Sequence, residues 1–160
     1  MNNQIKFLAL DVDGVLTDGG MYYLESGDEM KKFNARDGHA ILRLQKAGCA
    51  VGIISHGMGE SEKIVAKRAR VLQIEKVYVG PQSKLDILKE WCLEMNIDLD
   101  QVAYIGDDEN DLGVINELTE TACPADAVRA VKDQVKIILD TNGGDGCVRE
   151  YVDKYLLEIS

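Results

Sequence analysis

The stretch LALDVDGVLTDGG, residues 8 to 20, ends an apolar run in Asp11 and Asp13, sets Gly14 directly after them and adds Asp18. A period of two puts Asp11 and Asp13 on one side of the chain as it leaves a strand. Two carboxylates so close cannot both ionise cheaply unless a cation lies between them. Mg²⁺ suits that place, because it prefers oxygen and is usually held by one or two carboxylates, waters and a substrate phosphate. Farther on, GDDENDLGVI at 106–115 supplies Asp107, Asp108 and Asp111, while Ser55 and Lys84 follow other apolar runs. A carboxylate nucleophile, a proton-moving neighbour, a cation and a balancing lysine are the parts of phosphoryl transfer. On this reading one aspartate attacks phosphorus, its neighbour moves the proton, Asp107 completes the cation's protein ligands and Lys84 offsets the remaining charge.

Such groups work only if separate segments deliver them to one place. Short apolar runs at 5–11, 50–55, 76–80, 102–108 and 135–139 read as buried parallel strands. Helical spacing fills 37–47, 60–72, 83–95 and 109–118, and 148–158 closes the chain as a helix. This alternation predicts an α/β fold, a doubly wound parallel sheet with right-handed crossovers. Ligands of open α/β sheets bind outside the carboxyl ends of the strands, where Asp11, Ser55, Asp107 and Asp108 all fall.

Residues 19–33 break the alternation and read as a β-hairpin, Met21–Leu24 and Glu29–Phe33 around a Ser26-Gly27-Asp28 turn. A lone two-stranded hairpin is marginal in water. Its Met21, Tyr22, Tyr23, Leu24 and Phe33 therefore need a surface to cover, and a second subunit is the expected one.

At 160 residues the chain is expected to form a single domain, 1–160. A net charge of −10 disfavours nucleic acid or an anionic membrane as partner, and no run approaches a membrane span. No signal-peptide pattern opens the sequence. Four cysteines without paired spacing fit reduced thiols in the cytoplasm. Basic residues gather at Lys31, Lys32 and Arg36 and again over 63–70. Trp91, with Leu85 and Leu88, reads as core on an amphipathic helix.

Taken singly, each motif has an ordinary explanation. Asp13-Gly14 is a frequent turn dipeptide, Ser55 a helix cap, Lys84 a solvated charge and GDDEND an acidic loop. Their convergence at ordered strand ends is what argues for a site.

DVDGVLTD, Ser55, Lys84 and GDDENDLGVI resemble, in order, the four motifs of the haloacid dehalogenase superfamily of phosphohydrolases. The resemblance implies that Asp11 is the nucleophile and Asp13 the general acid, then base. It implies that Ser55 and Lys84 hold phosphoryl oxygens and that Asp11, the Asp13 carbonyl and Asp107 bind Mg²⁺. Asp108 and Asp111 would support the metal waters and Lys84. About 17 residues separate Thr17 from Ala35, and Lys84 stands 29 positions after Ser55, too few for a cap domain in either gap.

Within the capless group, DVDGVLTDG, KKFNARDG, VAYIGDDENDL, CPADA and GGDGCVREY resemble the 3-deoxy-D-manno-octulosonate 8-phosphate phosphatase family and the related nonulosonate 9-phosphate phosphatases. This resemblance implies a homotetramer with shared sites, in the setting of lipopolysaccharide biosynthesis. It implies a sugar-acid pocket from Asn34, Ala35, Arg36, Asp37 and Gly38, joined by Asp13, Lys84 and Arg68, with Arg36 facing the carboxylate or phosphate. The SHGMGES segment at 55–61 departs from the family's glycine and basic residue after motif two. Alternatives are a nonulosonate 9-phosphate substrate, a non-catalytic oligomerisation domain, or, ranked last, a mutase, which would need a cap to exclude water.

Overall fold

The computed structural model describes residues 4–57 and 59–158. The chain runs through β1 (Phe7–Leu10), the hairpin strands β2 (Tyr22–Tyr23) and β3 (Glu29–Met30), α1 (Ala35–Lys46), β4 (Ala50–Ser55) and α2 (Glu60–Val71). It continues through β5 (Lys76–Val79), α3 (Lys84–Met95), β6 (Val102–Ile105), α4 (Leu112–Ile115) and β7 (Glu120–Cys123). Helix α5 (Arg129–Lys132), β8 (Ile137–Ile138) and α6 (Cys147–Tyr151) complete it, α6 passing into a wider turn over Val152–Leu156.

Strands pair in the order β5-β4-β1-β6-β7-β8, and every pairing in this sheet is parallel. Every residue of β1 is buried, as a central parallel strand covered on both faces requires. Alternation along it divides the core. Leu8 and Leu10 face Ile41 and Leu44 of α1, Val65 of α2 and Val148 of α6. Phe7 and Ala9 face Leu88 and Trp91 of α3 and Val114 of α4. Phe7 meets Trp91 edge to face, with ring centroids 6.0 Å apart.

Leu10 stands opposite Ile53 of β4 and Ile105 of β6. The next residues on the three strands are therefore neighbours, and sheet order reverses direction beside β1. That is the switch point where the strand ends leave a crevice. A turn over Val12–Leu16 and the hairpin separate β1 from α1, the hairpin joined at its base by a bridge between Thr17 and Phe33.

Several elements differ from the sequence-based expectation. Strand β7, which none of the apolar runs marks, is ETAC, too short and too polar to show an apolar pattern; pairing Ala103 with Glu120 and Ile105 with Ala122 makes it a strand. The hairpin strands are two residues each, because Leu24 N already donates to Asp28 O to form the turn. The helix expected over 109–118 is shortened to α4, since Asp108 and Asp111 cap a tight turn ahead of it. No described helix is long and apolar enough to cross a membrane.

Candidate active site

Strand β1 holds Asp11 at the carboxyl edge, where its N–H still donates to Ile105 O at 3.1 Å and its side chain is buried. A wide turn over Val12–Leu16 follows, closed by Thr17 N–H to Val12 O at 3.0 Å. Gly14 sits in this turn at φ +83°, and a Cβ there would lie 2.0 Å from Asp107 Oδ2. Glycine is thus what allows the carboxylate beyond β6 to nest against the turn beyond β1.

Lys84 enters from the first turn of α3, which Ser83 caps by accepting from Asp86 N–H. Its ammonium reaches Asp11 Oδ1 at 3.0 Å and Asp111 Oδ1 at 2.6 Å, with the side chain 1% exposed. Asp111 also accepts from the Tyr104 hydroxyl and from the N–H groups of Asp107 and Asp108. Its lone pairs are taken up, so it braces the loop and orients Lys84.

Burial raises the Asp11 carboxyl to about 7; Asp111 adds to the rise and Lys84 opposes it. Asp107 is raised to about 8, first by burial and then by Asp11, Asp111 and Asp108. Burial pulls the Lys84 ammonium down, but Asp11 and Asp111 outweigh it and the net shift is upward. A cluster that resists ionising alone is one that a cation would complete.

Oxygens of Asp11, Asp107 and Asp111 lie within 4.8 Å of one another, and Asp107 Oδ1 is buried without a hydrogen-bond partner. Because Asp111 is already engaged, Asp11 and Asp107 are the side chains left to bind an ion. Their hard oxygens suit a divalent cation such as Mg²⁺. The residues present fit the metal.

Around this cluster lies a cleft of about 220 Å³ lined by Asp13, Ser55, His56, Asp108 and Asn110 among others. Asp13 Oδ1 accepts from Lys31 Nζ at 2.5 Å and from Thr17 Oγ1 at 3.4 Å. His56 donates its Nε2–H to Gln82 O at 3.0 Å. Met58, within the unusual SHGMGES segment, lies outside the described residues.

Residues 34–38 are not brought to this cleft within one chain. Asn34 caps α1, its Oδ1 accepting from Arg36 N–H and its Nδ2 donating to Gly144 O. Asp37 is buried and accepts from Arg149 N–H at 2.7 Å, tying α1 to α6. Arg68 donates to Asn34 O and lies over the Phe33 ring, and with Ala35 and Gly38 it lines a separate groove between α1 and α2. Arg36 is exposed. Sequence reasoning missed the contact of Lys31 with Asp13 and the Tyr104 hydroxyl on Asp111. The first was visible only as membership of a basic run, and the second only as one more strand residue.

A buried aspartate at a strand end, a lysine on it and an acidic loop from the neighbouring strand define a hydrolase site of one particular class. A family model for haloacid dehalogenase-like hydrolases matches residues 60–150, and the chain belongs to that family. The 3-deoxy-D-manno-octulosonate 8-phosphate phosphatase of Haemophilus influenzae is 36% identical over 152 residues, covering 95% of this chain and 83% of the relative. The crystal structure of the Yersinia pestis phosphatase of that name superposes with a TM-score of 0.91 at 36% identity, covering 96% of this chain and 82% of that one. The Moraxella catarrhalis phosphatase, solved in complex with magnesium ion, phosphate ion and KDO, gives a TM-score of 0.90 at 32% identity, covering 96% and 87%.

Proposed function

We propose that this chain is a Mg²⁺-dependent phosphatase that hydrolyses a phosphorylated sugar acid, 3-deoxy-D-manno-octulosonate 8-phosphate, through an aspartyl-phosphate. The observation that carries the reading is Asp11, buried at the end of β1, 3.0 Å from Lys84 and open to a cleft beside the unpartnered Asp107 oxygen. The magnesium- and KDO-containing structure of the Moraxella relative supports the choice of cation and sugar acid.

Asp11, Asp107 and the Asp13 carbonyl would hold Mg²⁺, which when bound neutralises charge on the phosphoryl oxygens. Lys84 and Ser55 bind the remaining phosphoryl oxygens. An Asp11 oxygen attacks phosphorus, the phosphorus–oxygen bond to the sugar breaks, and the departing oxygen takes a proton from Asp13. Water then attacks the aspartyl-phosphate and gives its proton back to Asp13, so phosphate leaves and both carboxyls are regenerated. Asp108 and Asp111 support the array, and Lys84 keeps its orientation through Asp111.

The hairpin exposes Met21, Tyr23, Leu24 and Met30, which supports its docking on another copy, in a homotetramer. Such docking would bring Arg36 and the 34–38 and Arg68 region toward a shared sugar-acid pocket. The four described free thiols suit a cytoplasmic enzyme.

The test is phosphate release from octulosonate 8-phosphate and nonulosonate 9-phosphates, measured side by side with and without Mg²⁺. Wild-type protein is expected to prefer the first, to need the ion, and to lose at least 10³-fold in turnover on Asp11→Asn, the scale of losing a catalytic nucleophile. Full activity in that variant overturns the mechanism, preference for the nine-carbon acid overturns the substrate, and no turnover with normal assembly marks a non-catalytic domain.

A further inference from the structure

Lysine side chains are among the least often buried, yet the Lys31 side chain is only 4% exposed. It follows β3 directly, and its ammonium lies 2.5 Å from Asp13 Oδ1, eighteen residues back along the chain. The second donor near Asp13, Thr17 Oγ1, lies 3.4 Å from the same oxygen but also 3.3 Å from Val12 O, so its single proton is shared. Oδ1 is thereby held chiefly by Lys31, while Oδ2 has no bonded partner among the described residues. The Asp13 side chain, 39% exposed, lies on the cleft wall, so its free oxygen is the one available to a substrate. Without Lys31 the remaining contact is a long hydroxyl bond at 3.4 Å, too weak to hold a carboxylate in one rotamer.

The hairpin that carries Lys31 is anchored at the same end of the molecule. Tyr22 donates its hydroxyl to Asp18 Oδ2 at 2.6 Å, Lys32 pairs with Asp145 at 3.2 Å, and Thr17 bridges Phe33. Any shift of β3 therefore moves the ammonium that fixes Asp13.

We infer that Lys31 is a positioning residue for proton transfer: it holds Asp13 Oδ1 so that Oδ2 is presented to the leaving oxygen of the substrate. The inference rests on Asp13 being the proton donor in the reading above. Because the hairpin's exposed face is where a second copy docks in that reading, assembly and proton transfer share one structural element.

The test exploits leaving-group chemistry. A sugar alkoxide departs only if protonated, whereas 4-nitrophenolate departs without help. In each variant kcat/KM is measured for octulosonate 8-phosphate and for 4-nitrophenyl phosphate, and their ratio cancels any loss of folded enzyme. Lys31→Met is expected to lower the alkyl-to-aryl ratio by about 10- to 100-fold, part of the 10²- to 10⁴-fold that proton transfer contributes. The loss should fall mainly on kcat with KM little changed, and Lys31→Arg should recover most of it.

Equal losses on both substrates would make Lys31 a structural or binding residue and overturn the inference, as would an unchanged ratio. Asp13→Asn separates the two failures. If it leaves the ratio intact, the role of Asp13 falls. If it collapses the ratio while Lys31→Met does not, only the role of Lys31 falls.

Discussion

Replacing Asp107 by asparagine keeps the side chain's shape against Gly14 but removes the carboxyl that resists ionising there. The Asp107 carboxyl is raised from 3.8 to about 8, so at pH 7 the native protein holds a proton that the unfolded chain has released. The span from 3.8 up to pH 7 is about three pKa units, or about 4 kcal/mol at 1.36 kcal/mol each. Burial is the first cause of that rise, with Asp11, Asp111 and Asp108 adding to it; because the clustered carboxyls titrate together, assigning half to Asp107 leaves ~2 kcal/mol. For a chain of this size that is a rise of roughly 4–8 °C in Tm.

Melting should be followed by fluorescence at pH 7, in EDTA and then with Mg²⁺ added. In EDTA, Asp107→Asn should melt above the wild type. With Mg²⁺ at about 100 times its Kd, the wild type should gain about 2.7 kcal/mol and the variant almost nothing. The order of the two proteins is therefore reversed or erased by the ion. A variant that melts lower in EDTA refutes the argument from burial and crowding of Asp107, and one that gains as much from Mg²⁺ as the wild type refutes Asp107 as a ligand.

Three further outcomes can be checked. Asp37, raised by burial to about 6, binds its proton more tightly folded than unfolded, so its contribution is present below about pH 4 and lost as pH rises through 6. Denaturation between those values should show a slope flatter in Asp37→Asn, by roughly 3 kcal/mol in total; identical slopes would show that Asp37 titrates normally. In Gly143→Ala the added Cβ would meet Gly14 O at 1.8 Å and push on the turn after β1. Turnover should drop by about 10-fold or more for a small displacement of the site, and an unaffected rate would show that the turn yields freely. Tyr23→Asp, on the exposed hairpin, should shift sedimentation toward monomer and lower activity; an intact oligomer with full activity would remove the hairpin from the interface.

Asp11, Ser55 and Asp107 were legible as residues that line one cleft, because apolar runs fixed where strands end and a parallel sheet puts those ends on one edge. The division of labour within the acidic loop was not. Asp107 and Asp111 are alike in sequence, and only their surroundings separate them, four donors saturating Asp111 while one Asp107 oxygen stays bare. Strand β7 was hidden because a four-residue strand owes its existence to pairing with β6 and carries no period of its own.

The amino-acid order alone therefore determined the parallel sheet apart from β7, the residue types gathered at its carboxyl edge and the hairpin that interrupts the alternation, since each depends on local pattern and residue type. Tertiary structure decided which carboxylate is free, that Asn34 and Asp37 serve α1 and its contact with α6, and that Lys31 lies on Asp13. Those outcomes turn on distances of a few ångströms between residues far apart in the chain, and spacing along a sequence carries no record of them.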